Sequence, residues 1–172
     1  MKVFRIFSFL ILLFLGKNNE VVSQTPISYR AYIFLAEGCP MCQGYAATLN
    51  QLAEAYEAKG VQFIGIFPNF YTTDAEIEAF KKQFDIRFDL KRDECFIYSD
   101  QLKATTTPQV FLTDKSDKIL YSGMIDNAYF QRGKRRGKTS DFYLKNALDN
   151  VLKGQAVAVA QTTAIGCIIV RE

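Results

Sequence analysis

The chain contains no histidine and no tryptophan. Without an imidazole it can form neither a Ser-His-Asp nor a Cys-His catalytic arrangement, nor a metal site with a histidine ligand. It also lacks a strong excess of charge, because 21 Lys and Arg residues are opposed by 18 Asp and Glu residues, for a formal charge of +3. So small a surplus argues against a nucleic-acid-binding protein held by phosphate contacts. The 4 cysteines remain as the obvious reactive groups.

The overall composition is that of an ordinary globular protein. Of the 172 residues, 49% are hydrophobic and 23% are charged, which argues against wholesale disorder. This length suits one domain with a substantial core and is too short for two. We expect the domain to cover residues 24–154, with residues 155–172 as a carboxy-terminal tail.

The amino-terminal residues 1–23 have the pattern of a signal peptide. A basic start precedes an apolar run at residues 6–15, which is too short for a membrane-spanning helix. The small residues Val21 and Ser23 suit cleavage before Gln24. An uncleaved membrane anchor is the alternative. We therefore expect export to the periplasm or another extracytoplasmic compartment, where cysteine pairs can be structural or catalytic.

Hydrophobic periodicity predicts alternating strands and helices. Strands are expected at residues 28–35, 61–67, 88–90, 110–113 and 118–124, and helices at residues 39–58, 74–84, 94–103 and 140–152. Thr73 and Glu76 form a capping-box pattern ahead of the second helix, and Ser140 is expected to cap the last one. Residues 114–117 indicate a hairpin. The order predicts an α/β fold with a mixed central sheet and helices on both faces.

The segment Cys39, Pro40, Met41, Cys42 lies where the first strand passes into the first helix. A cysteine at a helix amino terminus faces unpaired N–H groups and the positive end of the dipole, which lower its pKa and favour the nucleophilic thiolate. Cys42, on the first turn, is within disulfide reach and should be the more buried, so it suits the resolving role. Pro40 suits the first helical position. A CxxC at this junction of a βαβ unit indicates a redox site.

A proline stands directly before a predicted central strand, where it would usually be a poor choice. Thr107 and Pro108 precede the strand at residues 110–113. The alternative is an ordinary trans proline that starts a strand. Together with the CxxC motif, the position favours a cis Thr107–Pro108 bond. The backbone N–H and C=O of Thr107 would then be turned toward the disulfide, where they could pair with an extended substrate.

These features together resemble the thioredoxin superfamily: a strand–CxxC–helix, a Thr-Pro ahead of a β-hairpin and a closing helix. Within it the chain is similar to secreted redoxins, both TlpA/ResA-like thioredoxins and AhpC/TSA peroxiredoxin-like proteins. Residues 121–127 (YSGMIDN) and 163–169 (TAIGCII) resemble a peroxiredoxin-like branch with a Gly-Cys near its carboxy terminus. The match covers roughly residues 28–169.

The resemblance implies a thioredoxin-like fold and thiol–disulfide exchange, with Cys39 as nucleophile and Cys42 as resolving cysteine. The expected partners are protein thiols or disulfides and an upstream electron donor. No cofactor, metal or nucleic acid is expected, and the membrane is involved only through the signal sequence. Substrates are expected to contact Pro40, Met41, Thr107 and Pro108.

Two alternative functions stay open. The first is a thiol-dependent peroxidase with an antioxidant role. Peroxiredoxins place Pro-x-x-x-Thr-x-x-Cys around their peroxidatic cysteine, whereas Tyr32 and Ala36 stand at those places here, so the hydroxyl that would help polarise a peroxide is missing. The second is a Cu(I)-binding redoxin module, because Cys39, Met41 and Cys42 offer soft sulfur ligands.

The remaining cysteines, Cys95 and Cys167, allow three interpretations. They could form a structural disulfide that fixes the tail to the domain, either could relay electrons to the CxxC pair, or they could be unrelated. Sequence alone does not decide the connectivity of four cysteines. The tail is expected to contact the domain, since apolar side chains favour burial. Those side chains are Ile165, Ile168, Ile169 and Val170.

Overall fold

The computed structural model describes residues 26–171. The predicted signal peptide and its cleavage position therefore lie outside the described residues. Within residues 26–171, none of the helices combines the length and the apolar character that a membrane crossing requires.

Strands and helices alternate along the chain, as the periodicity predicts. In chain order the elements are β1 (Tyr29–Phe34), α1 (Pro40–Tyr56), β2 (Val61–Phe67), α2 (Asp74–Gln83), β3 (Asp89–Arg92), α3 (Ile97–Leu102), β4 (Thr106–Thr107), β5 (Gln109–Asp114), β6 (Ile119–Gly123), β7 (Tyr129–Gln131), β8 (Lys134–Arg135), α4 (Tyr143–Leu152) and β9 (Cys167–Ile168).

Five strands form one mixed sheet in the order β3-β2-β1-β5-β6. β1 is parallel to β2, and β2 is parallel to β3, whereas β5 runs antiparallel to both β1 and β6. In the central register, Tyr32 lies between Ile64 and Phe111. The fold class expected from the sequence, an α/β thioredoxin-like fold with a mixed sheet, is confirmed.

Side chains of β1 alternate between two hydrophobic clusters on opposite faces of the sheet. Ala31 and Ile33 belong to the larger cluster, which also contains side chains of α1, α2 and α4. Tyr32 and Phe34 belong to the smaller one, together with Leu102 at the end of α3. Helices therefore cover both faces, and the sheet holds the amino terminus of α1 at the end of β1.

The helix boundaries follow local signals in two cases. A 3-10 turn, Glu57–Lys59, follows α1 and ends at Gly60, whose φ of 84° is left-handed, a conformation that glycine adopts at little cost. Before α2, Thr73 Oγ1 accepts the N–H of Glu76, and the Glu76 carboxylate accepts the N–H of Thr73. The predicted capping box is confirmed.

The last helix begins later than expected, and Ser140 does not cap it. The residue before α4 is Phe142, which makes no side-chain cap. Ser140 instead accepts a hydrogen bond from the Asn127 side chain and donates one to Asp141. The N–H of Leu144 is satisfied by the backbone oxygen of Ile125 at 3.0 Å, so a neighbouring chain segment replaces the serine cap.

The tail turns back along the domain instead of extending away from it. The N–H of Ser122 donates to the oxygen of Ala160, and the N–H of Thr162 donates to the oxygen of Ser122. Further on, β9 pairs with β4 in antiparallel fashion. The expected contact between tail and domain is confirmed.

Candidate active site

Cys39 is the N-cap residue of α1, and Pro40 follows at the first helical position. The N–H of Cys39 donates to the oxygen of Ala36, and its own carbonyl accepts the N–H of Gln43, both at 3.1 Å. The preceding loop is also held by the side chain of Gln43, which donates to the oxygen of Glu37 at 2.8 Å. The sulfur of Cys39 thus lies at the amino terminus of the first helix, as the sequence predicts.

The surroundings of Cys39 favour its thiolate. The pKa of Cys39 is lowered to about 5, against an ordinary 9.0, although burial opposes the shift. The largest cause is a hydrogen bond from the Cys42 thiol, and the backbone N–H groups of Cys42 and Met41 and the thiol of Cys167 contribute to the same lowering. Because thiolates are the nucleophilic form of cysteine, Cys39 is equipped to attack at neutral pH.

Cys42, in contrast, is held as a protonated thiol. Its burial, together with the neighbouring Cys39, raises the pKa of Cys42 well above the ordinary value. Cys42 is fully buried, whereas 2% of the surface of Cys39 is exposed. The expectation that Cys42 is the more buried of the two is confirmed. The pair therefore consists of one stabilised anion and one protonated thiol, and both are free in the structure.

The Thr107–Pro108 bond is cis, as expected. The carbonyl oxygen of Thr107 lies 3.5 Å from Sγ of Cys39. Thr107 itself is buried, with 3% of its surface exposed. We call the backbone of Thr106 and Thr107 the ledge.

The ledge is not open, because the tail of the same chain lies on it. Thr107 pairs with Cys167 and Thr106 with Ile168. The thiol of Cys167 donates to the sulfur of Cys39, with 3.3 Å between the two sulfurs. Three of the four cysteines, Cys39, Cys42 and Cys167, therefore form one cluster.

The proposed substrate contacts differ in accessibility. Pro40 is exposed, whereas Met41 is buried, with 2% of its surface exposed. Beside Met41 and Pro108, the tail residue Ile165 leaves a cavity of only about 10 Å³. A substrate could thus reach Met41 and Pro108 only after the tail has moved.

Cys95 does not take part in this cluster. It is exposed and forms no disulfide, whereas Cys167 faces Cys39. A Cys95–Cys167 bond that fixes the tail is absent from the structure, and hydrogen bonds and apolar contacts fix the tail instead.

The apolar side chains of the tail differ in their exposure. Ile169 is 8% exposed, but Ile168 is 77% exposed and Val170 is 65% exposed. This difference arises because successive side chains in an extended segment point to opposite sides.

Sequence reasoning missed two residues at this site. Arg132 lies near Cys167 and lowers the pKa of that thiol, although burial and Cys39 raise it overall. Gly166 crosses the ledge so closely that a Cβ would lie 2.1 Å from the oxygen of Thr107. The Gly-Cys pair of the tail was a usable signal for Gly166, whereas nothing in the sequence around Arg132 indicates that it lies near a cysteine.

Among residues 26–171, no group of three or more cysteine or carboxylate side chains has an arrangement that could hold a metal ion. The Cu(I) alternative, which counts Met41 as a ligand, stays a prediction of the sequence.

Comparison with known proteins assigns this site to a family. A model of the AhpC/TSA family matches residues 30–122. The chain belongs to the AhpC/TSA family. The match includes the Cys39–Cys42 segment, the ledge and the central sheet, but ends before β7, α4 and the tail. A search of curated proteins gives no significant match.

Solved structures of other proteins share the fold of this chain. An uncharacterized conserved protein from Geobacillus kaustophilus is 25% identical, with 84% of this chain and 78% of that chain covered and a TM-score of 0.75. A hypothetical protein from Sinorhizobium meliloti 1021 is 26% identical, with 83% and 79% covered and a TM-score of 0.73. StoA from Bacillus subtilis, at 16% identity, 58% and 75% coverage and a TM-score of 0.51, shares the fold.

Proposed function

We propose that this AhpC/TSA-family protein is an exported thiol–disulfide oxidoreductase. The single observation that carries the proposal is the arrangement of the pair: Cys39 lies at the amino terminus of α1 with the buried Cys42 on the first turn beside it. This arrangement lowers the pKa of Cys39 and raises the pKa of Cys42. One sulfur is ready to attack and the other holds the proton that a leaving thiolate needs.

In the reductive direction, the Cys39 thiolate attacks one sulfur of a substrate disulfide. A Cys39–substrate disulfide forms, and the other substrate sulfur leaves with the electron pair. Cys42 then attacks Sγ of Cys39 and releases the second substrate sulfur, which takes the proton of Cys42. Two electrons pass to the substrate, and the Cys39–Cys42 disulfide is left for an upstream dithiol donor to reduce. The same steps reversed oxidise substrate thiols.

The ledge supports this reaction because it offers backbone groups beside the reacting sulfur. The oxygen of Thr107 is 3.5 Å from Sγ of Cys39, so an extended substrate paired with Thr107 would bring its sulfur over Cys39. The tail shows that an extended chain fits there. Pro40 and Met41 would line the approach. Export depends on residues 1–23 and stays a prediction of the sequence.

The test is reduction of a protein disulfide, such as those of insulin, with a dithiol as electron donor. We expect turnover by the wild-type protein, turnover at the background rate for Cys39→Ser, and unchanged turnover for the exposed control Cys95→Ser. Equal rates for wild type and Cys39→Ser would refute the proposal.

Peroxide reduction is a second candidate, because it is favoured by the family match over residues 30–122. A Cys39 thiolate could attack a peroxide oxygen, but Ala36 supplies no hydroxyl to polarise it. Rapid peroxide consumption that is lost in Cys39→Ser would support this function over disulfide exchange.

A further inference from the structure

The tail segment at residues 163–171 lies where the proposed mechanism places a substrate. It runs antiparallel to the ledge, with Cys167 opposite Thr107. An extended segment that presents a sulfur to Cys39 is what a protein substrate would also have to offer. The chain therefore carries a segment with substrate-like geometry.

Contacts on both sides of this segment hold it in place. Upstream, Thr162 Oγ1 accepts the N–H of Met124 at 2.8 Å, and Gly123, with a φ of +135°, leaves room for Thr162 to approach. Downstream, the N–H of Ile169 donates to the oxygen of Thr105 at 2.9 Å. Arg171 binds the side chain of Asp100. The residues between these contacts are thus held across the redox site from both sides.

The fit between these ends is tight. Gly166 passes the oxygen of Thr107 at a distance that excludes any side chain at position 166. Ile165 fills the space beside Met41 and Pro108. With the tail in this position only 2% of Cys39 is exposed, so external substrates and the tail compete for the same sulfur.

The two sulfurs are close enough for exchange. They lie 3.3 Å apart, and a disulfide bond needs about 2.05 Å, so a movement of little more than about 1 Å brings them to bonding distance. Burial and the Cys39 sulfur raise the pKa of Cys167, while Arg132 lowers it. When Cys39 is bonded to Cys42 it carries no charge, which removes one cause that keeps Cys167 protonated and leaves Arg132 in place.

We propose that the tail is an intramolecular substrate and that Cys167 is a third redox cysteine, which exchanges disulfides with Cys39. This inference rests on the proposed role of Cys39. The Cys167 thiolate attacks Sγ of Cys39 in the Cys39–Cys42 disulfide. The Cys39–Cys167 bond forms, the Cys39–Cys42 bond breaks, and Cys42 leaves with the electron pair and takes up the proton that Cys167 lost. No further oxidant is needed, because one disulfide replaces another.

The test uses full-length Cys42→Ser protein and oxidised glutathione. Glutathione should first attach to Cys39 and then be expelled by Cys167, which leaves a Cys39–Cys167 disulfide and free glutathione. In Cys42→Ser/Cys167→Ser, which keeps the ledge and lacks only the attacking sulfur, glutathione should stay on Cys39. Its release should be slower by about tenfold or more, since an intramolecular attack is lost. Cys42→Ser/Cys95→Ser is the matched control and should release glutathione at the rate of Cys42→Ser.

Peptide mapping by mass spectrometry distinguishes the outcomes. If glutathione stays on Cys39 equally in all three proteins, the role of Cys167 is refuted and the proposed function survives. If glutathione never attaches to Cys39, both proposals are refuted. If Cys167 forms bonds with Cys95 rather than Cys39, the intramolecular-substrate role is refuted.

Discussion

The hydroxyl of Tyr45 donates a 2.6 Å hydrogen bond to the carboxylate of Asp126, and both side chains are buried. Tyr45 lies on α1, beyond Cys39 along the same helix, and Asp126 follows the end of β6. The same carboxylate oxygen accepts the N–H of Ala128 at 2.8 Å. Burial, followed by the bond to Asp126, raises the pKa of Tyr45, so it stays protonated as a donor. The helix that carries the redox pair is thereby joined to the segment that follows the sheet.

We expect Tyr45→Phe to lower the free energy of unfolding by about 1–3 kcal/mol, because it removes a donor from a buried carboxylate. Tyr56→Phe is the matched control. Tyr56 also donates to a carboxylate, Asp149, but that group is additionally bound by Lys145 at the surface, so the loss should be smaller. Urea unfolding of the reduced wild-type, Tyr45→Phe and Tyr56→Phe proteins measures the two losses in the free energy of unfolding. An equal loss in both variants would contradict this account of Asp126.

The pKa of Cys39, lowered to about 5 from an ordinary 9.0, predicts a pH-dependent stability of the reduced protein. Between these values the folded state holds a thiolate while the unfolded chain holds a thiol. The stabilisation from this group is therefore complete above about pH 9 and is lost as the pH falls through about 5.

Urea unfolding across this pH range checks the prediction. The stability of wild type relative to Cys39→Ser should rise with pH, with an upper limit of about 1.4 kcal/mol per pH unit for a single proton. Ultraviolet absorbance of the thiolate in the same two proteins gives the titration directly. Parallel pH profiles for the two proteins would contradict the lowered pKa.

Gly166→Val should expose Cys39, because its side chain would collide with the oxygen of Thr107 and lift the tail from the ledge. We expect alkylation of Cys39 by iodoacetamide to accelerate by about tenfold or more, as expected when a local opening is no longer required. Gly137→Val is the matched control, since a Cβ at position 137 meets no atom within 4 Å. Protection of Cys39 in Gly166→Val equal to that in wild type would show that the tail does not limit access.

The parts that could be predicted from the sequence are those with local causes. The capping box of Thr73 and Glu76, the position of Cys39 at a helix start and the cis bond at Pro108 each depend on neighbours along the chain or on one motif. Ser140 failed as a cap because its hydroxyl is taken by Asn127 and Asp141, a contact that periodicity does not show.

The parts that could not be predicted depend on distant segments. The pairing of Cys167 with Thr107 joins two short strands with no recognisable pattern, and the choice of Cys39 rather than Cys95 as its neighbour is made by the path of the tail. Helix α3 begins at Ile97, after Phe96 with a φ of 54°, not at residue 94 as expected. The side chain of Asp93 fixes that start by accepting the N–H groups of Tyr98 and Ser99.

The most direct test of the account is to capture a substrate on Cys39. In Cys42→Ser/Cys167→Ser both internal sulfurs that could release a substrate are gone, so attack on a protein disulfide such as insulin should stop at the mixed disulfide. We predict one adduct per chain, mapped to Cys39 by mass spectrometry. No adduct, or an adduct on Cys95 with Cys39 unmodified, would contradict it.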